Sequence, residues 1–297
     1  MDLLRSDNYQ IDLFTSAAFT YPEFDRTVFS HVPKEHMREG TCPQGWQSDR
    51  KNVSMILDCL EKRDSSRPFM MFMFFESPHA PYNFPPESVI RPNYLQNFNY
   101  ASTDIAANIV AIKDRYINSC RHLDTQIQRI LAYLEEKKLR DSTIVIITGD
   151  HGEEFMEHGK WGHNSAYTQQ QTRVPMVLWV PGQKPMQVDR MTSHLDIPAT
   201  VLNQLGVINP PSDYSLGYDL LGQQERQFNV VADWNSLCYI DADCKIVLPV
   251  KGGSFSSNKI TTKDDVLVEN PDSILAQKRD KLLGVLKDSA HFVSGRK

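Results

Sequence analysis

The sequence predicts an α/β protein: a mainly parallel sheet flanked by helices, with a small antiparallel element towards the carboxyl terminus. Three observations carry that expectation. Thr143-Ile-Val-Ile-Ile-Thr148 is a run of β-branched residues that reads as a central strand buried on both faces. Phe69 to Phe75 is a second unbroken apolar run. Stretches of helical periodicity separate these runs, and the order strand, helix, strand, helix, strand argues for parallel pairing through crossovers.

Taken in order, Tyr9-Gln-Ile-Asp-Leu-Phe-Thr15 alternates apolar and polar residues and reads as the first strand. Ser48 to Lys62 carries Val53, Ile56, Leu57 and Leu60 at helical spacing, which predicts a helix covering one side of the sheet. The Met/Phe run follows as a strand and ends in Glu76-Ser-Pro-His79-Ala-Pro81-Tyr82, a lone histidine between two prolines. Residues 83–103 are rich in Pro, Asn, Tyr and Phe without a regular period, the mark of a long ordered loop near the strand ends. From Asp104 to Lys138, apolar residues recur at steps of three and four, defining a long amphipathic helix that delivers the chain to Thr143.

Beyond that strand, Arg173 to Gly182 reads as another strand closed by Pro-Gly. Ser193-His194-Leu-Asp196-Ile-Pro198 starts a helix with Asp196 as cap and Leu202 and Leu205 pointing inward, and His194 reads as an orienting or packing residue. Phe228 to Trp234, Ser236 to Asp241 and Lys245 to Val250 are short strands of an antiparallel element. Pro271 to Asp288 forms a last amphipathic helix bearing Ile274, Leu282, Leu283 and Leu286. The expected division is a core over 1–222 and, packed on it, the antiparallel strands with the final helix over 223–297.

At 297 residues and 40% hydrophobic content the chain is long enough to bury a large core. Its net charge of −5 offers no basic stripe for phosphate neutralisation, so no nucleic-acid partner is expected. The longest apolar run has seven residues, far short of the roughly 20 that cross a bilayer. Nothing at Met1-Asp-Leu-Leu-Arg-Ser-Asp resembles a signal peptide. The five cysteines show no metal-type spacing, although Cys238 and Cys244 flank a turn closely enough for a disulfide to be an open alternative.

Chemistry concentrates after the Thr143 strand, in Gly149-Asp150-His151-Gly152 and then His163-Asn164. In open α/β sheets ligands gather beyond the carboxyl ends of the strands. A carboxylate oxygen and an imidazole nitrogen together suit a divalent ion of borderline hardness, with two glycines letting the backbone turn tightly around it. As an isolated pair, Asp150 and His151 equally fit a cap and a packed imidazole.

These residues resemble a known family. Thr148-Gly-Asp-His-Gly-Glu-Glu, Trp161-Gly-His163-Asn and Thr172-Arg-Val-Pro-Met-Val-Leu-Trp-Val-Pro-Gly look like the carboxyl-terminal half of a sulfatase-type domain in the alkaline phosphatase superfamily. Ser193-His-Leu-Asp-Ile-Pro-Ala-Thr and Ser77-Pro-His79-Ala-Pro81-Tyr82 match the same pattern in the same order. A narrower likeness, around Tyr9-Gln-Ile-Asp-Leu-Phe-Thr-Ser and Tyr214-Ser-Leu-Gly-Tyr-Asp-Leu-Leu221, is to the YejM/PbgA family of inner-membrane proteins.

The resemblance implies a metal-dependent hydrolase or transferase of sulfate or phosphate esters, lipid headgroups among them. Asp150 and His151 would be ligands of one divalent metal (Mn, Mg, Ca or Zn), while His163 and His79 would bind the ester oxygens or assist the leaving group. Lys160 and Arg173 read as a solvated lysine and a structural arginine. The likeness also implies the periplasmic face of an inner membrane, reached through a segment outside this chain. The other function it allows is a non-catalytic periplasmic binding or regulatory domain.

One departure bears on activity. Such domains open with a strand bearing metal-binding aspartates, followed by a Ser, Thr or modified Cys nucleophile, and neither block is present here. Cys42-Pro-Gln-Gly-Trp lacks the pattern that formylglycine sulfatases need. The expectation is therefore a piece of a longer, membrane-tethered protein that by itself holds metal weakly and shows no turnover. The whole reading places Asp150, His151, His163 and His79 around one pocket.

Overall fold

The computed structural model describes residues 1–21, 23–249 and 259–294. The chain forms two compact units, Met1–Thr143 and Ile144–Lys297.

In the first unit the elements are α1 (Asp2–Ser6), β1 (Gln10–Thr15), β2 (Met37–Glu39), α2 (Gly45–Lys62), β3 (Phe69–Phe74) and α3 (Ile105–Glu136). The strands form a parallel sheet in the order β2-β1-β3, with Leu13 opposite Phe72 and Met37. The unbroken apolar run of β3 follows from layers on both faces. Phe69, Met71 and Met73 join Phe14 against Ile56 and Leu60 of α2 and Ile130 of α3. Met70 and Phe72 point the opposite way, to Ile11, Leu13, Phe19 and Phe29. Every residue of β3 keeps some exposure, so the strand is half-buried although it is apolar throughout.

The 83–103 loop has only a single 3-10 turn at Pro86–Ser88, and α3 holds it in place. Arg115 donates to the Pro81 and Leu95 carbonyls and to Asn83 Oδ1 at 2.6, 2.9 and 2.9 Å. Asn118, fully buried, accepts from the Ile90 and Arg91 amides and donates to the Arg91 carbonyl. Hydrogen bonding thus supplies the order that periodicity does not.

The second unit contains β4 (Val145–Thr148), β5 (Glu154–Phe155), β6 (Trp161–Gly162), α4 (Gln169–Thr172), β7 (Met176–Trp179) and α5 (Asp196–Gln204). After these come β8 (Phe228–Ala232), β9 (Ser236–Asp241), β10 (Cys244–Pro249), β11 (Ile260–Thr262) and α6 (Pro271–Ser294). Strand β4 is paired antiparallel with β7, Ile146 opposite Leu178. It is partly exposed rather than buried on both faces. The reason is one-sided cover: Ile146, Met176 and Leu178 meet Ile197, Thr200 and Val201 of α5, whereas Val177 on the opposite face is 59% exposed.

Helix α5 begins at Asp196, with Leu195 in the cap position. The buried Asp196 carboxylate accepts from the Ser193 and Tyr218 amides and pairs with Arg226, so it ties the helix start to later chain. Leu205 lies just past the last turn and is 40% exposed, not inward.

The antiparallel sheet runs β11-β10-β9-β8, and β11 is a strand the sequence reading did not find. Val250, the last residue of the expected third strand, lies outside the described residues. Helix α6 buries Leu282 and Val285 against Tyr239, Cys244, Ile246 and Ile260. Leu283 and Leu286 fall off that face and are about half exposed. Cys238 and Cys244 are unbonded and buried. The register explains why: Cys238 lies opposite Val247 and Ile240 opposite Lys245, so the two cysteines are staggered along the hairpin. Burial pushes their thiols up to about 12 and about 11, which keeps them protonated and unreactive.

This sheet is tied to α6 through Asp241. Burial pushes its carboxyl up, but Lys278 Nζ at 2.6 Å, the Asp243 and Cys244 amides and the Tyr239 hydroxyl outweigh that and hold it at about 2. A depressed carboxyl stabilises the fold above its unfolded value of about 3.9, and that contribution is lost as pH falls towards 2. Asp241→Asn is expected to destabilise the chain by about 2 kcal/mol at pH 7 and by much less near pH 2, measured by urea denaturation at both.

Candidate metal and oxyanion centre

The candidate site is built between the end of β4 and the start of α4. After Thr148 the chain turns through Gly149 and exposes Asp150, then doubles back so closely that a Cβ on Gly152 would lie 2.0 Å from the Gln170 carbonyl oxygen. The Gly152 amide donates to the Gln171 carbonyl at 2.9 Å. Only glycine permits this approach.

A short hairpin follows, β5 paired with β6, Glu154 opposite Gly162 and Phe155 opposite Trp161. Gly162 closes it with φ +88. The fully buried Glu154 carboxylate accepts from the His158 and Lys160 amides, the Thr168 hydroxyl and the Gln171 side-chain amide. Burial raises the Glu154 carboxyl, but those four donors outweigh it and the carboxyl sits below its ordinary range.

The hairpin register decides what meets what. Extending the ladder by one residue sets Glu153 opposite His163, and His163 Nδ1 lies 2.8 Å from Glu153 Oε2. The His163 ring stacks on that of His151 with centroids 3.9 Å apart and planes 28° from parallel. His151 Nδ1 is 3.0 Å from the Gly152 carbonyl, and its Nε2 is 3.6 Å from Asp150 Oδ2. His194 places Nε2 2.9 Å from the Gly149 carbonyl.

Each of His151, Glu153 and His163 offers a ligand atom within 4.8 Å of the other two. Asp150 joins them through His151, with its side chain 57% exposed. Imidazole nitrogens and carboxylate oxygens at this spacing form a donor set that fits a divalent ion of borderline hardness. Both imidazoles have an oxygen beside Nδ1, the arrangement that orients metal-binding and anion-binding histidines.

Of the four residues singled out from sequence, Asp150, His151 and His163 come together. His79 belongs to the first unit, on the loop after β3. That loop is anchored by the fully buried Asp49, whose carboxylate accepts from the Glu76 and Ser77 amides at 2.9 Å and from the Ser77 hydroxyl. His79 itself is half exposed, with Nδ1 2.9 Å from the Ala80 carbonyl. Lys160 is exposed, as a solvated lysine is, whereas Arg173, read from sequence as a structural arginine, is exposed too. Glu153 was missed by sequence reasoning. The signal was present in the ten-residue separation of Glu153 and His163 around a glycine turn, legible only once the hairpin register is known.

A family model described as Sulfatase matches residues 1–207. Human iduronate 2-sulfatase is 29% identical over 178 residues, covering 48% of this chain and 32% of that protein. The inner membrane protein YejM of Salmonella typhimurium is 24% identical over 254 residues, covering 84% of this chain and 37% of that one. The chain thus spans about a third of the length of these two relatives. Among solved structures, a phosphonate monoester hydrolase from Silicibacter pomeroyi superposes with a TM-score of 0.67 at 16% identity over 96% of this chain and 78% of its own. That likeness establishes a shared alkaline phosphatase/sulfatase-like fold.

The hydrogen bond to Glu153 raises the His163 imidazole above its ordinary value against the opposing effect of burial. A raised imidazole stabilises the fold at pH below its unfolded value of about 6.5, and this is lost as pH rises through the folded value. In the ion-free chain, Glu153→Gln is expected to shift the His163 titration downwards, read from its ring resonances in an NMR pH series.

Proposed function

The chain belongs to the sulfatase family, and on that premise we propose that it is a metal-dependent hydrolase or transferase domain for sulfate or phosphate esters. The observation that carries this reading is the meeting of Asp150, His151 and His163 behind β4. In it Asp150 and His151 hold one divalent ion. When bound, such an ion polarises the ester and offsets charge developing on its oxygens. His163 presents an imidazole to the same oxygens from beside His151. Gly152 and Glu154 keep His151 and His163 in place while the ester is bound. Sulfate and phosphate esters share a tetrahedral anion of similar size, so the residues in hand accept the class rather than one member. Lipid headgroups belong to that class; the YejM likeness supports an inner membrane as the setting, and the reading puts the domain on its periplasmic face.

A second reading is a non-catalytic binding or regulatory domain of the YejM type. It is favoured by the breadth of that likeness, 84% of the chain against 48% for iduronate 2-sulfatase. Among the described residues no helix is long and apolar enough to cross a membrane. Ion binding separates the two readings, because a purely regulatory domain has no need of working ligands.

Calorimetric titration of the purified chain with Mn²⁺, Mg²⁺, Ca²⁺ and Zn²⁺ is expected to show uptake of one ion, weakened about tenfold or more by Asp150→Ala or His151→Ala. A chain that takes up none of the four ions supports the second reading.

A further inference from the structure

Glu153 is almost wholly buried, its side chain 8% exposed, yet it stands one residue from the strand that builds the hairpin and two from His151. Its partner at 2.8 Å is one particular nitrogen, Nδ1 of His163. The neighbouring carboxylate, Glu154, already accounts for the fold of this segment with four donors of its own. A second buried carboxylate beside it adds like charge, which carries an electrostatic penalty unless it serves the group it faces.

We propose that Glu153 is a positioning residue for His163. By accepting the Nδ1 hydrogen it fixes the rotation of the ring, so that the doubly protonated His163 donates to the ester's anionic oxygens through its Nε2 hydrogen, across the ring. A histidine holding both a carboxylate and a ligand needs its two nitrogens kept to separate tasks, and a carboxylate on Nδ1 enforces that division. Stacking on His151 supplies a second restraint, because a ring pinned at one nitrogen and flat against a neighbour loses its rotational freedom. The proposal rests on the reading of this corner as a metal and oxyanion centre, and it names the residue that aims the oxyanion-facing imidazole.

The test is sulfate titration of the zinc-loaded chain, followed through the ¹⁵N-labelled ring of His151, in four variants. Glu153→Ala and His163→Ala are each expected to weaken sulfate binding about tenfold, the lower end of the losses seen when a supporting carboxylate is removed. The double variant is expected to bind no worse than His163→Ala, because Glu153 acts only through that ring. Glu153→Gln keeps a carbonyl oxygen able to accept the Nδ1 hydrogen, so it should stay within about threefold of the parent. In Glu153→Ala the ¹⁵N pattern of His163 should lose the signature of a hydrogen-bonded Nδ1–H, a change that a purely structural role would not produce.

Additive losses in the double variant would overturn the proposal. So would a fall in zinc affinity on Glu153→Ala with sulfate binding to the loaded chain intact, since Glu153 would then be a ligand of the ion. A parent chain that binds zinc but no sulfate removes the oxyanion reading, and one that binds no zinc removes the centre itself.

Discussion

The buried carboxylate of Glu154 is the interaction on which the candidate centre depends. Its four donors come from the turn at His158 and Lys160 and from Thr168 and Gln171 at the start of the next helix. One anion therefore gathers a hairpin and a short polar helix. Buried without those donors it would be strongly destabilising, and with them it forces a single arrangement. Gly152 supplies the complementary constraint, because the chain passes so near the Gln170 carbonyl that no side chain fits.

From these two constraints the chemistry follows by geometry. Residues 151 and 163 are twelve apart in the chain, yet the tight turn at Gly152 and the hairpin register bring their rings into a stack. Glu153 becomes the partner of His163 because it occupies the position across the ladder. The resulting corner combines carboxylate and imidazole donors, which suits a divalent cation and, beside it, an anionic ester.

In the first unit the supporting role passes to charged side chains on two helices. Asp49 from α2 holds the amides that precede His79, and Arg115 from α3 holds the carbonyl of Pro81 behind it. The His79 loop is thus ordered from both ends by charge-assisted hydrogen bonds, although it has no regular secondary structure. Loops anchored in this way carry functional residues without moving them.

Local pattern was enough to find β1, β3, α2 and α3, since each buries a stripe or a face whose period is written in the residues themselves. Residue type and order alone also single out Asp150, His151 and His163, and the structure brings these three near one another. Tertiary structure alone decided that β4 pairs antiparallel with β7, that Leu205, Leu283 and Leu286 face outwards, and that Cys238 and Cys244 stay apart. It also decided that Glu153 faces His163. The physical reason is common to all of these: periodicity reports which side of an element is apolar, whereas pairing direction, register and the partner across a turn depend on chain brought in from elsewhere.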